Sequence, residues 1–322
     1  MGPVPVSEVR TRDQRRHRRC YIRGCRDPEK HGWLRFSMKP PFQRSAFFLF
    51  LLAAIPAASV LVAATPTTSY TRLYVFGDSY SDIGAGYVDG NGPTAVAYLG
   101  WNMGLEFTHA KAAKAAEKSL DFAVSGARTG EGEGRKVKET ALLGYGMMNQ
   151  TKDFAARVTS GEIHFDPETT LFFIAGGLND SRLPTETTLS NLSQELDILK
   201  GLGAKHFTVA LLPTKIRSFA AVGQRLGPAL TKFVEDERKR LSVDIWLNHW
   251  GAYYDDVMEH PADYGIVNTT DACAGREIFD QDATPVGDPS TYFFYHEGHP
   301  STAVHRIVGK KLFEEVKARA AK

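Results

Sequence analysis

The chain has 322 residues, 43% of them apolar and 24% charged, a composition that can bury a sizeable core and that excludes a disordered, collagen-like or disulfide-stapled protein. Its formal net charge of +2 is unevenly spread: residues 1–44 hold twelve Lys or Arg against four Asp or Glu, and the remainder holds 27 against 33. A mildly acidic body has no electrostatic footprint for nucleic acid, so no nucleic-acid partner is expected.

In chain order the first distinct segment is uncharged, from Ser45 to Thr71, and residues 46–64 read AFFLFLLAAIPAASVLVAA. Met38, Lys39 and Arg44 ahead of it and Val62, Ala63 and Ala64 at its exit give the basic, apolar and small-residue regions of a secretory signal peptide. A signal anchor is the alternative, because about 19 apolar residues can span a bilayer; Pro56 and the alanine-rich exit favour cleavage. Residues 1–64 are therefore expected to be a basic extension plus signal peptide or signal anchor, and residues 65–322 a single secreted domain. Cys20 and Cys25 fall in the leader, which leaves Cys273 alone in the body, either buried or pairing between molecules, with burial favoured. N-x-S/T tripeptides begin at Asn149, Asn179, Asn191 and Asn268, as a glycoprotein would have.

Short apolar runs bounded by turn residues predict buried strands at residues 73–76 (LYVF), 171–175 (LFFIA), 206–212 (HFTVALL) and 243–247 (VDIWL). Helical stretches are expected over 93–99, 147–158, 189–202, 228–241 and 300–318. Pro300 is placed in the first turn of the last helix, where the missing N–H costs little. Strands alternating with helices predict a parallel sheet covered on both faces, in which ligands bind beyond the carboxyl ends of the strands. Residues 129–140 (TGEGEGRKVKET) read as a mobile surface loop.

At the end of the first of these strands stands Gly77-Asp78-Ser79-Tyr80-Ser81-Asp82, which exposes Ser79 where a helix would begin. A hydroxyl there can attack a carbonyl while free backbone N–H groups stabilise the resulting anion. The same tripeptide also suits an ordinary capping turn. Near the chain end, His299 precedes Pro300-Ser301-Thr302, and imidazole suits proton transfer near neutral pH. His296-Glu297-Gly298-His299 lacks the helical H-E-x-x-H spacing of zinc hydrolases, so no metal is expected. The glycines at 84, 86 and 90 fail the dinucleotide fingerprint. No G-x-S-x-G elbow surrounds Ser79.

Four blocks in order resemble the GDSL family of SGNH hydrolases: GDSYSD with Ser79, Asp121–Arg128 (DFAVSGAR), Gly177-Leu178-Asn179-Asp180, and His299-Pro300-Ser301. The resemblance spans roughly residues 70–318. It implies a three-layer α/β/α sandwich with a parallel sheet, Ser79 as nucleophile, His299 as general base, and an oxyanion hole of the Ser79 and Gly126 amides and the Asn179 carboxamide. No cofactor is implied. A glycan on Asn179 would block such a site. The family places an aspartate three residues before the histidine, where this chain has His296. Three replacements are open: the Glu297 carboxylate, His296 itself, or a main-chain carbonyl near Phe294 or Tyr295, which is favoured because Glu297 is displaced by one residue.

Residues 92–99 and 299–305 are similar to those of secreted fungal GDSL esterases, among them acetylesterases of plant-wall carbohydrate, which implies a monomeric ester hydrolase acting through an acyl-enzyme on acetylated carbohydrate. A lipase or phospholipase is the nearest alternative, with Tyr80, Trp101, Phe107 and Tyr145 lining either a sugar subsite or an acyl groove. A carbohydrate-binding homologue that has lost turnover with its aspartate is the other.

Overall fold

A computed structural model describes residues 70–320, so the expected leader over residues 1–64 lies outside the described residues. All described residues belong to one of two compact units, Leu61–Lys322. Among them, no helix is long and apolar enough to cross a membrane.

Six parallel strands form the central sheet: β1 (Arg72–Gly77), β2 (Phe107–His109), β3 (Ser119–Asp121), β6 (Thr170–Ala175), β7 (His206–Ala210) and β8 (Asp244–Asn248). Their spatial order is β2-β3-β1-β6-β7-β8. All residues of β6 are buried, as are all of β1 after Arg72. That is the signature of a sheet covered on both faces. The helices that cover it are α1 (Ala95–Asn102), α2 (Met147–Thr159), α3 (Thr185–Gly201), α4 (Ala220–Leu241), α5 (Trp250–Glu259) and α6 (Thr302–Ala320). Right-handed crossovers sort them by direction of travel: α1 carries the chain leftward from β1, while α2, α3 and α4 carry it rightward, on the opposite face. The packing agrees, with α6 against α1 and α5 in one layer and α3 against α2 and α4 in the other. The domain is thus a three-layer α/β/α sandwich.

Each helix buries a stripe at helical spacing. In α3 the stripe is Thr188, Leu192, Glu195, Leu196 and Leu199, of which each leucine contributes about 1.5–3 kcal/mol by leaving water. In α6 it is Val304, Val308, Leu312 and Val316. Gly309 lets α6 press on α1, since a Cβ there would lie 2.5 Å from the Ala95 carbonyl oxygen.

Several expected boundaries move. The α4 helix begins eight residues before Pro228, which sits inside it, because Val222, Gly223 and Leu226 extend the buried stripe backward. Pro300 lies in a two-residue strand, and α6 starts at Thr302. Residues 129–140 are not a featureless loop: β4 (Glu133–Val137) pairs antiparallel with β5 (Ala141–Tyr145). The polar β4 shows no alternation from which a strand could be read. The remaining strands, β9 (Asn268–Ala272), β10 (Tyr292–His296) and β11 (His299–Pro300), form a separate small sheet, in the order β11-β10-β9. Cys273 is buried and free.

This topology fixes where chemistry can happen. The chain leaves β1 toward β2 and β3, then crosses to β6 on the other side of β1, so the winding direction reverses between β1 and β6. A crevice forms at such a switch point, beyond the carboxyl ends of the two strands. The register sets those ends level, with Gly77 opposite Ala175.

Candidate active site

The β1 strand ends at a glycine because β6 is so close: a Cβ on Gly77 would lie 2.8 Å from the Ala175 carbonyl oxygen. The following residues make one closed turn and not the expected helix, with the Ser81 and Asp82 amides donating to the Asp78 carbonyl at 3.0 and 2.9 Å. Ser79 sits in that turn and is 6% exposed. The Asp78 side chain beneath it accepts from the Tyr80 amide at 3.1 Å. Burial pushes the Asp78 carboxyl up to about 7.

From the other side of the site comes His299, at the start of β11. A two-residue turn, Glu297-Gly298, connects β10 to β11, so that His296 and His299 are register partners. Gly298 makes the turn possible with φ of +72°. The Tyr80 hydroxyl donates to the Gly298 carbonyl at 2.7 Å, tying this turn to the serine segment. The structure brings Ser79 and His299 together across 220 residues, with Ser79 Oγ 2.8 Å from His299 Nε2. Burial lowers the proton affinity of the imidazole; Asp89 opposes that shift and the Arg276 guanidinium adds to it.

The other imidazole nitrogen, Nδ1, lies 3.0 Å from the Glu297 carbonyl oxygen and 2.5 Å from Arg276 Nη2. A main-chain carbonyl does face Nδ1, but it is that of Glu297 and not of Phe294 or Tyr295, because the tight turn folds the carbonyl of residue 297 back onto the ring. The Glu297 side chain is exposed and makes no hydrogen bond or ion pair with His299. His296 faces elsewhere, with Nδ1 2.7 Å from Asp89 Oδ1.

Asp89 is the residue that sequence reasoning missed. It is 8% exposed, and besides His296 it approaches Arg276 Nε at 3.0 Å and His299 Nε2 at 3.4 Å. Burial alone would raise its proton affinity, but the His296 hydrogen bond and the charges of His299 and Arg276 hold the carboxyl below its ordinary value. Asp89 reaches the site because Asp82 folds the intervening chain back, accepting from the amides of Gly84, Gly86 and Tyr87 at 2.9, 3.1 and 2.8 Å and from Ser125 at 2.7 Å. No spacing rule connects Asp89 to His299. The one sequence signal was an acid among glycines, in Val88-Asp89-Gly90-Asn91-Gly92.

Two further loops leave the carboxyl ends of β3 and β6, the strands on either side of β1. Gly126, with φ of +78°, is exposed at the end of the segment after β3. Asn179 follows β6 by four residues and donates from Nδ2 to the Ala127 carbonyl at 2.9 Å, which leaves its second amide hydrogen unassigned. The two loops are clamped by Asp180, whose Oδ2 accepts from the Thr129 hydroxyl at 2.6 Å and the Thr188 hydroxyl at 2.9 Å. Neither the Ser79 nor the Gly126 amide donates to another protein group among the described residues. Two backbone donors and one carboxamide donor thus remain available at loops flanking the serine. Among the described residues, no group of three or more His, Cys, Asp or Glu has the arrangement to hold a metal ion.

The aromatic residues expected to line a substrate groove are dispersed. Tyr80 is fully buried among Phe219, Trp250 and Tyr254. Phe107 is buried in the core, and Trp101 is exposed on α1.

Comparison with solved structures finds similar chains at low identity. A carbohydrate acetylesterase from Sinorhizobium meliloti is 13% identical, with 77% of this chain and 99% of that one covered and a TM-score of 0.39. A psychrotrophic esterase from Pseudoalteromonas sp. is 12% identical over 78% and 100% of the two chains, with a TM-score of 0.41. A member of the lipolytic G-D-S-L family from Veillonella parvula is 13% identical over 76% and 97%, with a TM-score of 0.42. No curated protein sequence matches. The sequence profile described as GDSL-like Lipase/Acylhydrolase matches residues 73–312, which takes in the serine turn, both flanking loops and the histidine. On that match over most of its length, the chain belongs to the GDSL-like lipase/acylhydrolase family.

Proposed function

We propose that the protein is a serine ester hydrolase that removes short acyl groups, with acetylated carbohydrate as its substrate class. The observation that carries this reading is the 2.8 Å contact between Ser79 Oγ and His299 Nε2. In this mechanism Ser79 Oγ attacks the ester carbonyl as its proton passes to His299 Nε2, and the tetrahedral oxyanion is received by the Ser79 and Gly126 amides and Asn179 Nδ2. His299 then returns the proton to the leaving alcohol. Water, deprotonated by the same imidazole, releases the acid from the acyl-enzyme. For this the neutral imidazole must carry its proton on Nδ1, where the Glu297 carbonyl can accept it, and Arg276 Nη2, which can only donate, must give up its approach to Nδ1 and keep its bond to that carbonyl.

The preference for a short acyl group is supported by Tyr80, which is turned into the core and offers no wall to an alkyl chain. The carbohydrate alcohol rests on the similarity of residues 92–99 and 299–305 to secreted acetylesterases. The uncharged segment ahead of the domain fits a secretory route, which would bring the enzyme to extracellular polysaccharide.

The test is a panel of nitrophenyl esters of increasing chain length, together with acetylated oligosaccharides. Acetate release is expected to fall with chain length, and Ser79→Ala is expected to lower kcat by more than about 10³-fold. Activity that rises with chain length would support a lipase instead. No turnover on any ester would point to a binding homologue.

A further inference from the structure

We infer that Asp89 is the charge-balancing acid of this site, supplied from the loop after the serine in place of an acid at position 296. The inference rests on the serine-hydrolase reading above and assigns a positioning role, because Asp89 acts through His299 and not on the ester.

The geometry begins with what is missing. Nδ1 of His299 faces a carbonyl and a guanidinium, so no anion touches that side of the ring. Proton transfer from Ser79 breaks the Oγ–H bond, forms Nε2–H, and leaves a positive imidazolium beside a positive Arg276, whose Nη2 is 2.5 Å from Nδ1. Two cations in contact in a buried site repel strongly unless an anion lies between or beside them. Asp89 is placed to do this. One of its oxygens is 3.0 Å from Arg276 Nε, and the other is 3.4 Å from His299 Nε2. The Glu297 carbonyl accepts from Arg276 Nη2 at 2.7 Å and so holds the guanidinium to the turn.

The residue at position 296 then has a use of its own. His296 Nδ1 donates to Asp89 Oδ1 at 2.7 Å, which fixes the carboxylate and satisfies one of its lone pairs in a region closed to water. His296 is 5% exposed, so this bond is poorly accessible to solvent competition. The acid thus comes from the loop after β1, and the hairpin supplies the histidine that anchors it. The charged and titratable groups around His299 are accordingly Asp89 from the loop after β1, Arg276 from the segment after β9, His296 from β10, Tyr80 from the serine turn, and His305 from α6, which burial keeps neutral.

The experiment compares wild type, Ser79→Ala and Asp89→Asn on nitrophenyl acetate across the pH range. Loss of turnover in Ser79→Ala establishes the serine reaction; no turnover even in wild type defeats the parent reading and is thereby distinguished from failure of this one. Given an active wild type, Asp89→Asn is expected to lower kcat about 10²-fold with little change in KM. Removing the anion also makes His299 harder to protonate, so the acid limb of kcat/KM should move to lower pH by about one unit. Asp89→Glu, which keeps the charge, should recover part of kcat and return the limb toward its wild-type position. If the Asn variant fails to fold, Asp89→Ser removes the same charge with a smaller side chain and is read in the same way. A charge-removing variant with wild-type kcat and an unmoved limb overturns the inference. So does a loss of kcat with the limb unmoved, since a merely structural role would produce that pattern.

Discussion

Asn179 shows how a single side chain serves two neighbours. One of its amide hydrogens holds the Ala127 carbonyl, and the other is free for the oxyanion that the proposed mechanism generates beside Ser79. Asn179→Ala is therefore expected to lower kcat by about 10²–10³-fold while KM changes little, since the ground-state ester carbonyl carries less charge than the tetrahedral intermediate. Steady-state kinetics on nitrophenyl acetate checks this, and an unchanged kcat would remove the carboxamide from the oxyanion site. At this scale, legibility followed motif locality. Ser79 and Asn179 each follow an apolar strand by a few residues, and His299 precedes the last helix, so local sequence marks them. Asp89 was illegible because its approach to His299 depends on the fold-back imposed by Asp82, a set of side-chain-to-backbone bonds that leaves no periodic trace. Arg276 was illegible for a similar reason, since its place in the site follows from β9 pairing with β10, a contact between distant segments.

Among the elements, those the sequence revealed are the ones in which one physical signal dominates. The β1 and β6 strands are continuous apolar runs because both sheet faces are covered, and such runs can be read directly. The three-residue strands β2 and β3 are too short to carry a pattern. In β4 the sequence EGRKV has Val137 as its one apolar side chain, and only pairing with β5 makes it a strand. The α5 helix follows β8 after a single residue, with Trp250, Gly251, Tyr254 and Val257 buried at helical spacing. Its amphipathic stripe was present but was hidden by continuity with the preceding strand. Proline misled in α4, where a residue suited to a first turn sits in the interior of a helix whose earlier part is held by tertiary packing. The small sheet of β9, β10 and β11 was not foreseen, yet it delivers His299, because its two-residue turn turns the histidine toward the serine crevice.

For the whole molecule, the layered fold followed from alternating strands and helices, and the parallel winding placed the crevice between β1 and β6. The buried acids are a consequence of the same architecture. Glu195, on the inner face of α3, is completely buried with neither carboxylate oxygen hydrogen-bonded, and burial raises its proton affinity well above that of an ordinary glutamate, with nearby Asp180 adding to the effect. A carboxyl whose folded value is raised keeps its proton in the native state after the unfolded chain has lost it. Stability is thus unaffected below the ordinary glutamate range and declines as pH rises through the window up to the raised value. Glu195→Gln abolishes this titration, so its Tm should fall less than that of wild type between mildly acidic and mildly alkaline buffer, by several degrees. Thermal unfolding at the two pH values provides the check, and parallel pH dependences would show that Glu195 does not titrate in that window.

The central claim is that Ser79 is made nucleophilic by His299 at the mouth of this crevice, and its most direct test is to map the adduct formed with a fluorophosphonate by peptide mass spectrometry. The account predicts stoichiometric modification at Ser79, lost in His299→Ala although the protein remains folded. Modification at a different serine, or none in a folded wild-type protein, would contradict it.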